Sequence, residues 1–159
     1  MKVLKWLDKN FEEKAMSVLL WAIVVIMFIQ VIMRYVFKSS LAWSEEVSRY
    51  LFIWMVFTGI SYGVKNGLHM KIDLLEYFVP KLKKPLGIIA DLAFFIFTCY
   101  MIKPGINVVK AIKASGQTSP AGGVPMEIVY TSLLVGFTLV VIRIIQKYVL
   151  MFTKKGEQQ

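Results

Sequence analysis

AMSVLLWAIVVIMFIQVIM, residues 15–33, runs for nineteen positions without a charged side chain. A helix rises 1.5 Å per residue and needs about 20 mostly apolar residues to cross the hydrocarbon core of a bilayer. In lipid the backbone must satisfy its own hydrogen bonds, which a helix does and a lone strand does not. This run is therefore read as a membrane-spanning helix. It is too long for the 7–15-residue core of a cleavable signal, and no small-residue cleavage site follows it, so it is expected to persist in the mature chain.

Three further runs without charge lie downstream, Tyr50–Val64, Leu92–Ile102 and Ile128–Ile142. Each reaches spanning length by taking in one or two flanking charged residues, whose long side chains extend to the interface. The chain has 159 residues, 57% of them hydrophobic, and the excess over a soluble domain sits in these four blocks. The expectation is an all-α membrane protein, one membrane domain over 1–159 with no room for a second, soluble one. The spans are expected at 15–37, 44–65, 85–103 and 125–147. An outer loop at 104–124 precedes the fourth span, and residues 148–159 form a tail. Residues 1–14 place Val3, Leu4, Trp6, Leu7 and Phe11 on one helical side, which suits an N-terminal amphipathic helix lying in the interface. Residues 68–80 read as a second amphipathic segment.

The cations set the orientation. Lys2, Lys5, Lys9 and Lys14 precede the first span; Lys65, Lys71, Lys81, Lys83 and Lys84 fill the middle connection; Arg143, Lys147, Lys154 and Lys155 close the chain. Those thirteen share one side. Only six, Arg34, Lys38, Arg49, Lys103, Lys110 and Lys113, lie on the other. The positive-inside rule then puts both termini in the cytoplasm. The net charge of +9 follows from this flanking pattern, and no nucleic-acid signature accompanies it. Cys99, the single cysteine, has no internal disulfide partner and reads as a small apolar side chain.

Charges at membrane depth are functional candidates by default. Asp91, Glu127 and Arg143 all fall near a span end and read as interfacial or interhelical structural charges. None stands at the bilayer centre, and no paired broken helices or internal repeats offer an ion site. His69, Asp73 and Glu76 are spaced i, i+4, i+7 and would share a helix face. With one histidine in the chain, and no nucleophile–base pair or phosphate loop, they support neither catalysis nor a metal or cofactor site.

The first outer connection is the most charged hairpin, LAWSEEVSRY at residues 41–50. Ser44 suits the N-cap of the second helix, with Glu45 and Glu46 in its first turn, where the helix dipole favours acids. Trp43 belongs at the membrane–water boundary. Arg49 lies i+4 from Glu45 and i+3 from Glu46, and Arg34 comes to a similar height on the first span. The expected device is an Arg34–Glu45/Glu46–Arg49 network that clamps the first two helices.

These residues are also where the chain resembles a known family. Residues 32–75, IMRYVFKSSLAWSEEVSRYLFIWMVFTGISYGVKNGLHMKIDLL, look like the signature region of the small, Q-type membrane subunit of tripartite ATP-independent periplasmic (TRAP) transporters. The matching features are Arg34–Tyr35, Trp43-Ser44-Glu45-Glu46, Arg49, Gly59, and His69 with Asp73 and Leu74. GQTSPAGGVPMEIVY is similar to the family's outer loop running into a proline at the fourth span. Lys38 departs from the Asn often found there. The resemblance covers roughly residues 15–148.

The resemblance implies a non-enzymatic subunit without cofactor, in the bacterial inner membrane. Its implied partners are a large membrane subunit, which carries substrate and sodium, and a periplasmic substrate-binding protein delivering an organic acid. The implied role is to scaffold the large subunit and help dock the binding protein, with Lys38, Lys103, Lys110 and Lys113 as candidate docking cations. The alternative is a self-sufficient four-helix multidrug exporter. Such exporters rely on a carboxylate deep in the first helix, which the first run lacks.

Overall fold

A computed structural model of the chain describes the backbone of residues 2–66 and 83–156, and the side chains of residues 10–66 and 86–151. Helix α1 spans Lys2–Tyr35, α2 Ala42–Lys65, α3 Lys83–Ser115 and α4 Met126–Gly156. Each is long and apolar enough to cross a membrane. His69, Asp73 and the expected segment 68–80 lie outside the described residues.

The helices are longer than the spans read from composition. α1 has 34 residues, about 50 Å at 1.5 Å per residue, against a hydrocarbon core of about 30 Å. It runs without interruption through the expected boundary at residue 14, because no Gly or Pro stands between Lys2 and Tyr35. α3 likewise continues past 103, through Pro104, to Ser115. The expected loop at 104–124 is therefore half helix. A proline in a spanning helix removes one backbone bond, and local adjustments absorb the loss. α4 starts at Met126 and passes 147 to reach Gly156.

The start of α2 also differs. Leu41 is the N-cap, extended at φ −92°, ψ 95°, without a side-chain cap. Ser44 lies in the first turn, fully buried, and its hydroxyl donates back to the Leu41 carbonyl at 2.7 Å. The hydroxyl thus serves a carbonyl and not the free N–H groups an N-cap would take.

The packing order is α1–α2–α4–α3: α2 packs on α1 and on α4, and α4 packs on α3. Large apolar residues of the end helices, such as Trp21 and Phe28 on α1 and Ile89, Ile96 and Tyr100 on α3, are exposed. That is the ordinary state of a lipid-facing surface, where tails are as apolar as leucine. Among the described residues Val64, Val140 and Ile144 form a small buried cluster, backed by Ile60, Phe94, Phe95 and Tyr148. Phe137 of α4 meets Phe57 of α2 and Phe97 of α3 edge-on, with centroids 6.0 and 6.2 Å apart. Buried Thr58, Thr98 and Ser132 return their hydroxyls to carbonyls of their own helices, which satisfies those three donors, whereas the buried Ser48 hydroxyl of α2 has no partner among the described residues.

Candidate functional site

Polar chemistry concentrates at the two ends of the helix row. At the termini end the centre is Glu12 of α1, which is 0% exposed. Its Oε1 accepts from the Arg143 guanidinium of α4 and from the Ser61 hydroxyl of α2 at 3.3 Å. Its Oε2 accepts from the Lys65 ammonium at 3.1 Å. Arg143 also donates to Gln146. One carboxylate thus joins three helices. Burying these charges costs several kcal/mol per ion, so the arrangement is stable only with its partners in place.

Glu12 belongs to the segment 1–14 expected to lie in the interface, and in the structure it is buried between three helices. The usable signal was Arg143: a guanidinium directly after the fourth apolar run, within the expected span, calls for a carboxylate partner. Arg143 is an interhelical structural charge, and so is Asp91. The Asp91 carboxylate of α3 accepts from Lys147 and, at 3.0 Å, from the Tyr148 hydroxyl of α4. Asp91→Asn should weaken the α3–α4 seam by about 1–3 kcal/mol. The check is the thermal unfolding midpoint in detergent, with Tyr148→Phe giving a smaller drop.

At the hairpin end the two adjacent glutamates diverge, because successive helical residues point about 100° apart. Glu45 faces α1 and accepts from the Gln30 amide at 3.1 Å. Glu46 faces the connection between α3 and α4. Its carboxylate accepts the Ala121 N–H at 3.2 Å and the Gly122 N–H at 3.0 Å, and the Ser119 side chain faces the same group. Arg34 and Arg49 are exposed and form no ion pair with either glutamate. The expected four-residue clamp is therefore not assembled in this form. An amide on α1 and backbone donors in the loop occupy the carboxylates.

The loop itself is a closed turn. Thr118 and Pro125 face each other in an antiparallel bridge. Ser119 N–H donates to the Val124 carbonyl at 2.9 Å, Gly123 N–H to the Ser119 carbonyl at 3.1 Å, and Met126 N–H to Gln117 at 3.0 Å. Gly116 and Gly123 sit at φ 64° and 63°, a region that costs residues with a Cβ. Lys113 reaches Glu127 at 3.6 Å across the same end, and is 74% exposed, so that pair contributes about 0–1 kcal/mol.

The remaining sequence candidates are placed as follows. Trp43 is exposed at 42% beside the hairpin, as a boundary residue would be. Lys38 sits in the hairpin at φ 51°. Gly59 lies in the α1–α2 seam, where an added Cβ would approach the Met16 sulfur at 3.3 Å. Lys103, the last residue of the expected third span, and Lys110, beyond it, are exposed on α3. Among the described residues no group of three or more His, Cys, Asp or Glu side chains is placed to hold a metal.

This architecture has relatives. A TRAP transporter small permease protein of Haemophilus influenzae is 28% identical over 155 residues, covering 93% of this chain and 95% of that protein. The isethionate TRAP transporter permease protein DctMQ of Oleidesulfovibrio alaskensis is 28% identical over 151 residues, 91% of this chain. The sialic acid TRAP transporter permease protein SiaT of Haemophilus influenzae is 31% identical over 150 residues, 94% of this chain. In both of these longer proteins the chain spans only 24% of the length. The family described as tripartite ATP-independent periplasmic transporters, DctQ component, matches residues 23–154. Its members are transporter components and not enzymes. With four spanning helices and a match over most of its length, the chain is a multi-pass inner-membrane protein that belongs to the DctQ-component family of TRAP transporters.

Proposed function

We propose that the chain is the small membrane subunit of a TRAP system, scaffolding a separate large permease and helping to dock a periplasmic substrate-binding protein. The uptake it serves is driven by a sodium gradient and carries an organic acid. Both termini lie in the cytoplasm, and the hairpin end faces the periplasm. The observation that carries the reading is the alignment: the chain matches 95% of a TRAP small permease protein of Haemophilus influenzae and about a quarter of permease proteins such as DctMQ and SiaT. A large partner would supply what the other three quarters supply there. The relatives' names, with sialic acid among them, support an organic acid as cargo.

The internal chemistry agrees with a scaffold. The buried acid in the first span, Glu12, is held by Arg143 and Lys65, and a carboxylate locked between two cations is poorly suited to carry a proton across the bilayer. That argues against a self-sufficient exporter. The exposed apolar faces of α1 and α3 supply area for lipid and for the large subunit. The test is co-expression with the cognate large permease. A tag on this chain should retain the large subunit in stoichiometric amount through detergent extraction. Purification of each without the other, at matched expression, would refute the scaffold role.

A further inference from the structure

The acid pair of the hairpin would ordinarily be read as a helix–helix clamp, yet Glu46 is committed elsewhere. Its carboxylate crosses from α2 to the loop between α3 and α4 and accepts two successive backbone N–H groups, Ala121 and Gly122. Ser119, buried at 4% exposure, supplies the adjoining side chain and also caps Val124 N–H at 3.2 Å. Successive N–H groups converging on one carboxylate form a small anion nest, here filled from within the chain. Hydrogen bonds to an ionised acceptor are about twice as strong as neutral ones. The loop closes on its own backbone bonds, Ser119 N–H to the Val124 carbonyl and Met126 N–H to the Gln117 carbonyl among them, and the carboxylate ties that closed turn to α2.

The consequence is a fixed rim. Pro120, Ala121, Gly122 and Gly123 are exposed at its crest, and on α3 Lys110 and Lys103 are exposed about 9 and 20 Å along the helix from Gly116. Seven residues apart on a helix, those two lysines lie within about 20° of one face. We propose that Glu46 is a positioning residue for partner capture. It holds the 116–125 loop as a preformed edge beside the α3 lysines, and the edge receives an acidic face of the periplasmic binding protein. This rests on the docking role proposed above. Holding the edge in its bound shape before encounter removes an ordering cost from association, and the lysines supply complementary charge.

The test uses the complete complex in nanodiscs or liposomes, with its own binding protein. Glu46→Gln and Glu46→Ala should raise the binding-protein concentration giving half-maximal transport by about five-fold or more, the loss of charge-assisted bonds to the loop. Maximal rate and subunit stoichiometry should be unchanged, and a spin label at Gln117 should gain mobility. A clamp role confined to the helices would instead lower complex yield or maximal rate, and that result overturns the proposal. So does an unchanged half-saturation with an intact complex. The double variant Lys103→Glu/Lys110→Glu separates the two layers of the argument. If it weakens binding while the Glu46 variants do not, only the positioning role fails. If neither has an effect, the docking reading fails as well.

Discussion

Glu12→Leu is expected to destabilise the chain by about 3–5 kcal/mol, the usual cost of removing one member of a buried ion cluster. The carboxylate is fully buried and faces two cations, Arg143 and Lys65, from two other helices. Its loss leaves both cations without the acid they share, and Arg143, at 6% exposure, has little water to replace it. For a chain of this size that should lower the thermal unfolding midpoint in detergent by about 10 °C. Arg143→Leu should act comparably. The double variant should lose much less than the sum, because replacing a buried ion pair with apolar residues is often nearly neutral. Additive losses would show that the two side chains act independently, against the geometry described.

Gly136→Ile is expected to be the second severe substitution. A Cβ at 136 would stand 2.7 Å from the Phe57 Cβ and 2.9 Å from the Phe57 carbonyl oxygen. The obstacle is the backbone of α2, which cannot rotate aside as a side-chain tip can. Gly136→Ala should cost about 1–3 kcal/mol by overpacking, and the isoleucine more, with the Phe57–Phe137 contact opened. Gly63 is the matched control, since an added Cβ there meets nothing within 4 Å. Gly63→Ala should be neutral or stabilise by about 0.5–1 kcal/mol through helix propensity. Equal tolerance at both positions would contradict the close α2–α4 crossing.

The four spans were legible because apolar runs in lipid have one solution, and each run did become a helix. Their ends were not legible from hydropathy, since hydropathy reports where lipid ends and not where a helix does. α1 and α3 go on because nothing in 1–14 or after Gly105 stops them until the connections begin. Pro104 follows the last residue of the expected third span and is an internal residue of α3. The site was harder to read. The spacing of Glu45, Glu46 and Arg49 correctly marks them as neighbours on one helix, but local spacing says nothing of donors brought from 75 residues away, such as Ala121. Glu12 and Arg143 are separated by 131 positions, and no local pattern links them. Only the cost of a lone guanidinium in the membrane pointed to a partner.

The scaffold reading makes the chain necessary for transport but unable to transport. Proteoliposomes containing this chain alone, the large permease alone, and both together should be compared for uptake of the radiolabelled organic acid, with the binding protein outside and an inward sodium gradient. Uptake is expected only when both membrane subunits are present, with none above background from this chain alone. Uptake by this chain alone, or full uptake by the large permease without it, would contradict the scaffold reading.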